Sequence, residues 1–276
     1  MLSIIRPTFP SQAMCLSPVN RERDSVDRFN DRVKDYAKYR PNYPQEVIEL
    51  LKVDCGLTPD SVVADIGSGT GLSSELFLKN GNRVFAVEPN PQMRSTAEAL
   101  LGSYSGFTSV DGAAESTGLQ SSSVDFVVAA QAFHWFDQEK SRLEFTRILK
   151  PGGWVALIWN ERRLDSTPFL RDCEELLLRY GTDYGKIRHE NITKEIGSFF
   201  SPDVFQRKSF DNLQEFDFQG FEGRLRSASY VPALGNPNFE PMMGRAREIF
   251  AMHNKNGRVQ YEYDTSVYYA QLKPRE

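Results

Sequence analysis

A doubly wound α/β fold is what this sequence predicts, and three observations carry it. Apolar runs at 62–64, 84–87, 124–130 and 154–159 alternate with segments of helical periodicity, the order that builds a parallel sheet covered by helices on both faces. The run at 124–130 is apolar on both faces, as a buried parallel strand is. A glycine-rich turn, Asp65-Ile66-Gly67-Ser68-Gly69-Thr70-Gly71, joins the first strand to the helix at 72–78.

The elements follow in order. Residues 1–24 hold Pro7, Pro10 and Pro18 without sustained periodicity and read as a flexible tail or a targeting segment. From Ser25 the chain turns helical, with Phe29, Val33 and Tyr36 on one face. Arg40-Pro41 ends that helix, because a residue before proline is pushed out of the helical region. A helix over 45–52 precedes the first strand. The strand at 84–88 is closed by Pro89-Asn90-Pro91, with Pro91 in the first turn of a helix over 92–101. Strands at 107–110 and 124–130, a helix over 138–149 and a fifth strand at 154–159 continue the alternation. The last third is less regular. It reads as a helix over 168–180, a strand at 204–210, helices over 218–228 and 241–254, and a long Tyr- and Val-rich strand at 258–272 that joins the sheet beside the fifth.

Composition narrows the function classes. The net charge is −4 with acids and bases interspersed, so duplex nucleic acid is not the expected partner. Cys15, Cys55 and Cys173 are far apart and odd in number, which argues against a disulfide framework and a cysteine-based zinc site. No metal ligand set is expected from His134, His189 and His253 either. No apolar run reaches the roughly 18 residues of a membrane span, and a cytoplasmic monomer or homodimer is expected.

The glycine turn is the chemical centre. Glycines let the backbone approach a ligand that a Cβ would block, and the following helix presents unpaired N–H groups. The third glycine falls one place earlier than in a dinucleotide fingerprint, with Leu72 in its stead, and no Lys-Ser/Thr pair follows as in a phosphate loop. Asp65 precedes the first glycine, and an acid there suits a cationic ligand without phosphate. A second acid, Glu88, stands 23 residues on, at the tip of the second strand, where a carboxylate accepts from ribose hydroxyls. The plainer alternative for Glu88 is a helix-capping surface acid.

The pattern D-x-G-x-G-x-G resembles motif I of the class I S-adenosylmethionine-dependent methyltransferases. The segment Ala129-Ala130-Gln131-Ala132-Phe133-His134-Trp135-Phe136-Asp137 and Leu149-Lys150-Pro151-Gly152-Gly153 resemble the corresponding parts of the small-molecule branch. Tyr36-x-x-Tyr39-Arg40-Pro41-x-Tyr43-Pro44 resembles the trans-aconitate methyltransferase-like proteins and their fungal relatives. The resemblance implies a Rossmann-like, seven-stranded, mostly parallel sheet with one antiparallel strand near the edge. It implies a single domain over 25–276, with a helical lid at 25–52, a cofactor core at 60–160, and sheet completion and substrate pocket at 161–276.

S-adenosylmethionine is the cofactor so implied. Gly67, Gly69 and Gly71 would face its methionine portion, with Asp65 behind them. Glu88, followed by Pro89, would hold the ribose, and Met93 would pack on the adenine. Ala113 stands where relatives often carry an adenine-binding Asp, so that role moves to Glu115, with the Ala114 amide donating to the ring. Gln131 and Ala132 backbone groups would meet the amino end, and Arg40, beside Tyr36, would pair with the carboxylate.

The expected reaction is in-line methyl transfer to a small-molecule acceptor, an oxygen of a carboxylate or hydroxyl. A lipid or quinone acceptor, or a non-catalytic binding role, is the alternative. His134 is the candidate general base if the acceptor must lose a proton; its alternative is aromatic packing. A carboxylate acceptor needs no base, being ionised already, and Arg162, Arg163, Arg224 or Arg226 would hold it. Trp135, Asn160 and Tyr230 complete the candidate substrate contacts, with a turn role equally open for Asn160.

Overall fold

Val62–Ile66 forms β1, buried along its whole length because both faces of the sheet are covered. The computed structural model describes residues 38–182, 184 and 192–273; the expected tail, the helix begun at Ser25 and Tyr36 lie outside them. β1 pairs in parallel with β2 (Arg83–Val87) and β4 (Val124–Ala130). β3 (Phe107–Val110) lies beyond β2, and β5 (Leu149–Arg162) beyond β4, both parallel. β7 (Val259–Gln271) then joins β5 antiparallel, and β6 (Gln206–Phe216) pairs antiparallel with β7. The seven-stranded order is β3-β2-β1-β4-β5-β7-β6. The fold class and the antiparallel strand beside β5 are as the sequence and its resemblance led one to expect.

Helices flank this sheet. α1 (Glu46–Cys55) buries Val47, Ile48 and Leu51 against the face carrying Val63, Phe126 and Ile158, so this end of the expected lid packs on the sheet. α2 (Leu72–Lys79) follows the glycine turn and α3 (Pro91–Leu101) follows β2. α3 is capped by Asn90, whose side chain accepts from the Gln92 and Met93 amides. A short 3₁₀ turn (Phe133–Trp135) and α4 (Gln138–Ile148) connect β4 to β5.

Several boundaries differ from expectation, with physical reasons. β5 begins at Leu149, which pairs with Val124 of β4, and runs to Arg162, because its long partner β7 continues the ladder from Trp154↔Gln271 to Arg162↔Tyr263. β6 spans Gln206–Phe216 rather than 204–210 for the same reason. Asn160, expected just past the fifth strand, therefore lies within it. α6 (Ile192–Phe200) was not anticipated, although Ile196, Phe199 and Phe200 recur at helical spacing and are buried against the core around Phe133 and Phe145.

The second half carries its own apolar cluster. α5 (Pro168–Tyr180), α7 (Phe218–Arg226) and α8 (Phe239–His253) enclose Phe169, Leu177, Phe221, Met242 and Tyr261. Phe216 and Phe221 are core residues here. Among the described residues, no helix is long and apolar enough to cross a membrane, and no His, Cys, Asp and Glu cluster could hold a metal ion.

Candidate functional site

The carboxyl ends of β1, β2 and β4 meet at the turn 67–71. Gly67, Gly69 and Gly71 have φ of 67°, 57° and 88°, a region that L side chains avoid and glycine enters freely. A Cβ on Gly67 would lie 2.6 Å from the Ala132 Cβ, and one on Gly71 2.4 Å from Leu101 Cδ1. Gly69 instead faces open space, with nothing within 4 Å of where a Cβ would stand. The turn is thus packed tightly from behind and open in front.

Both predicted acids belong to this turn. Asp65, fully buried at the end of β1, accepts on Oδ2 from the Ser73 and Ser74 hydroxyls at 2.7 and 2.6 Å. Among the described residues its buried Oδ1 has no hydrogen-bond partner, and neither do the hydroxyls of Ser68 and Thr70. Burial pushes the Asp65 carboxyl up to about 6, against the pull of the two serines. Glu88 accepts the Gly69 amide on Oε2 and the Asn90 amide on Oε1, each at 2.9 Å. Burial raises its pKa as well, opposed by those two amides and by Arg94. Glu88 is therefore both tied to the turn and buried, a stronger arrangement than a surface cap.

The neighbouring segments close round it. Met93 is buried in the first turn of α3, whereas Pro89 is exposed. Ala113 pairs its backbone with Ser116, and Ala114 is buried in the core beside β3. Glu115 Oε1 accepts from the Asp137 amide at 2.6 Å and from the Ser141 hydroxyl at 3.3 Å; any adenine contact would fall to its other oxygen. Gln131 has φ of 57°, an uncommon left-handed conformation for a non-glycine residue. It is held there by its amide donating to Ile158 O and its side chain to Asn160 O at 2.8 Å. His134 stacks obliquely on Trp135 at 4.6 Å and edge-on to Trp159 at 5.4 Å.

A strap at 39–43 crosses the ends of the neighbouring strands. Gln214 donates to Tyr39 O, and Asn160 and Asn212 both donate to Asn42 O, the latter at 2.7 Å. Arg40 donates to Ser227 O at 2.9 Å, just past α7, and Tyr39 fills the space beside Gly223 that a Cβ would need. Asn160 also accepts from Thr265 and Asn212 on Oδ1. The structure thus gives Asn160 a strap-holding role, one that sequence spacing alone did not reveal.

Comparison with known proteins fits this geometry. Residues 64–157 match a family model described as a methyltransferase domain. An uncharacterized methyltransferase of Schizosaccharomyces pombe is 33% identical over 225 residues, covering 80% of this chain and 86% of that protein. The chain belongs to the class I S-adenosylmethionine-dependent methyltransferases. A second methyltransferase-like protein of S. pombe is 31% identical over 166 residues, 59% of this chain and 62% of that relative's length. The solved structure of a putative type II methyltransferase from Anaeromyxobacter dehalogenans superposes with a TM-score of 0.65 at 24% identity. It covers 86% of this chain and 100% of that one, a likeness of fold.

This methyltransferase's cradle fits its cofactor. The open front at Gly69 and the unsatisfied Asp65 Oδ1, Ser68 and Thr70 oxygens are what a polar, cationic ligand would complete. Two buried carboxylates and no cationic phosphate clamp suit a sulfonium with an amino group. When bound, S-adenosylmethionine supplies an electrophilic methyl on a positively charged sulfur.

Proposed function

We propose that this methyltransferase places the methyl group on an oxygen, carboxylate or hydroxyl, of a small-molecule acceptor. The observation that carries this reading is the strap at 39–43, fastened by Asn160, Asn212, Gln214 and Ser227 beside the cradle. A fastened strap makes an enclosed site, and enclosure favours small acceptors and excludes water. With a good leaving group on the cofactor, the chain's own task is to orient the acceptor and keep the site dry. Gly67, Gly69, Gly71, Asp65, Glu88 and Met93 would hold the cofactor, with Gln131 and Ala132 at its amino end and Arg40 on the strap side. His134 would accept a hydroxyl proton where the acceptor is an alcohol; a carboxylate would react as the anion it already is.

The test is transfer from methyl-labelled S-adenosylmethionine to a panel of small acids, alcohols and amines. Label released by mild base marks a methyl ester, and base-stable label on an alcohol marks an ether; either supports the reading. Label found only on amines or on extracted lipids would overturn it.

A further inference from the structure

Gln131 stands one residue past β4, at the carboxyl edge where ligands of open α/β sheets gather. Its backbone is left-handed, with φ of 57°, and a non-glycine residue kept in that region points to a local task. Two bonds to β5 keep it there. Its amide donates to Ile158 O at 3.0 Å, and its side chain donates to Asn160 O at 2.8 Å. The β4–β5 ladder, last paired at Ala130↔Ile158, is so continued by a side chain. On its other flank the same turn presses on the cradle: the Ala132 Cβ stands 2.6 Å from where a Cβ on Gly67 would lie.

Asn160 carries the connection onward. Its Nδ2 donates to Asn42 O at 3.3 Å, and its Oδ1 accepts from Asn212 at 3.3 Å and from the Thr265 hydroxyl. Asn212 also donates to Asn42 O at 2.7 Å and to Thr265 Oγ1 at 3.2 Å. Asn160 and Thr265 are buried, so water competes little for these bonds. The path runs from Gly67 through Ala132 and Gln131 to the main chain of Asn160, and through its side chain to Asn42 of the strap. Beyond Asn42 the strap is seated on α7, where Tyr39 lies against Gly223, and just past it, where Arg40 donates to Ser227 O. Each link is a packed contact or a hydrogen bond, the kind of connected network that carries coupling between separate places.

We infer that Gln131 is a positioning residue that couples the strap at 39–43 to the amino end of the cofactor. A fastened strap holds Asn160, Asn160 holds the Gln131 side chain, and Gln131 holds the turn that faces the cofactor. Coupling free energy is reciprocal. Strap bonds that never touch the cofactor therefore contribute to its affinity, and the strap opens less often when the cofactor is bound. The inference rests on the placement of the amino end at Gln131 and Ala132 given above, and it holds whatever the acceptor.

S-adenosylhomocysteine is titrated calorimetrically into the full chain, Gln131→Gly, Asn212→Ala and the double variant, with denaturant unfolding run alongside to record stability separately. Glycine enters the left-handed backbone freely and removes the side-chain bond. Each single change is expected to lower affinity about three- to tenfold, within what one neutral hydrogen bond can transmit. The double variant is expected to lose little more than Gln131→Gly alone, because the path is already cut. Hydrogen exchange adds a second readout: S-adenosylhomocysteine should slow exchange over 39–43 in the wild type and not in Gln131→Gly. Gln131→Asn, one methylene shorter and tolerant of the same backbone, serves if the glycine variant does not fold. Losses that multiply in the double variant would overturn the coupling, as would strap protection that persists without the Gln131 side chain. A loss in Gln131→Gly that Asn212→Ala does not share would keep Gln131 at the cofactor and detach the strap from it; wild-type affinity in both would remove the amino end from Gln131 as well. The transfer assay reports separately, since label found only on amines or lipids would sink the oxygen-acceptor reading and leave the coupling standing.

Discussion

The amide of Gly69 donates to Glu88 Oε2 at 2.9 Å, so the glycine turn after β1 and the acid after β2 are one unit. The same acid would bind ribose and fix the loop that faces the methionine end. Glu88→Ala should weaken S-adenosylmethionine binding by about 1.5–3 kcal/mol, the range for a hydrogen bond to a charged group. Calorimetric titration measures it, and wild-type affinity in that variant would remove Glu88 from the site.

Asp65 links stability to pH in an uncommon direction. Its folded pKa of about 6 lies above the ordinary aspartate value of 3.8, so the folded chain holds the proton more tightly than the unfolded chain. Its contribution to stability is therefore full below the unfolded value and is lost as pH rises through about 6. Above that, an ionised buried carboxylate costs about 3 kcal/mol. Asp65→Asn should raise the melting temperature of the ligand-free protein at pH 7.5 and give little gain near pH 4, while binding the cationic cofactor more weakly. Melting curves across pH and a titration at pH 7.5 check both halves. The wild-type affinity should also fall as pH drops below about 6, where Asp65 takes up its proton.

Gly71→Ala combines two penalties. The left-handed backbone costs about 1–2 kcal/mol with a Cβ, and the Cβ would press on Leu101 Cδ1 at 2.4 Å, an overpacking of about 1–3 kcal/mol. Denaturant unfolding should show a loss of about 2–5 kcal/mol. Gly69→Ala meets only the backbone penalty, since the space in front is open; it should unfold closer to wild type but bind cofactor poorly.

Asn160→Ala removes a donor to Asn42 O and an acceptor for Thr265 and Asn212, all at a residue 7% exposed. A stability loss of about 1–3 kcal/mol is expected from the groups left unpaired. Hydrogen exchange should rise at the strap, 39–43, more than in β1 or β4. Uniform change along the chain would mean that Asn160 does not hold the strap.

The Arg162–Glu174 pair should behave as a buried ion pair. Glu174→Leu alone strands the buried Arg162 guanidinium and should cost about 3–5 kcal/mol, whereas Arg162→Met with Glu174→Leu should cost far less. A double-mutant cycle by denaturant unfolding separates the two.

Much of the cofactor half was legible because its signals are local. Asp65, the three glycines and Glu88 lie within a strand, a turn and a strand, and the sheet places them without long-range help. The strap and the second apolar cluster were less so. That Asn160 clamps Asn42, or that Arg224 reaches Tyr263, depends on pairing between segments 118 and 39 residues apart. β6 and the far end of β5 were read too short because their extent is set by β7, the last strand among the described residues. Ile192–Phe200 did carry a helical pattern, and a window placed on Ile196, Phe199 and Phe200 would have found it.

The apolar cluster of α5, α7, α8 and the start of β7 is distinct from the clusters that flank β1, β2 and β4. If the acceptor pocket is built on the second cluster, as the family resemblance implies for 161–276, each end of the reaction stands on a separate foundation. Substitutions around Phe221 or Met242 would then reshape what the enzyme methylates while the glycine turn stays in register, and new acceptors would be open to this lineage by drift in one cluster alone.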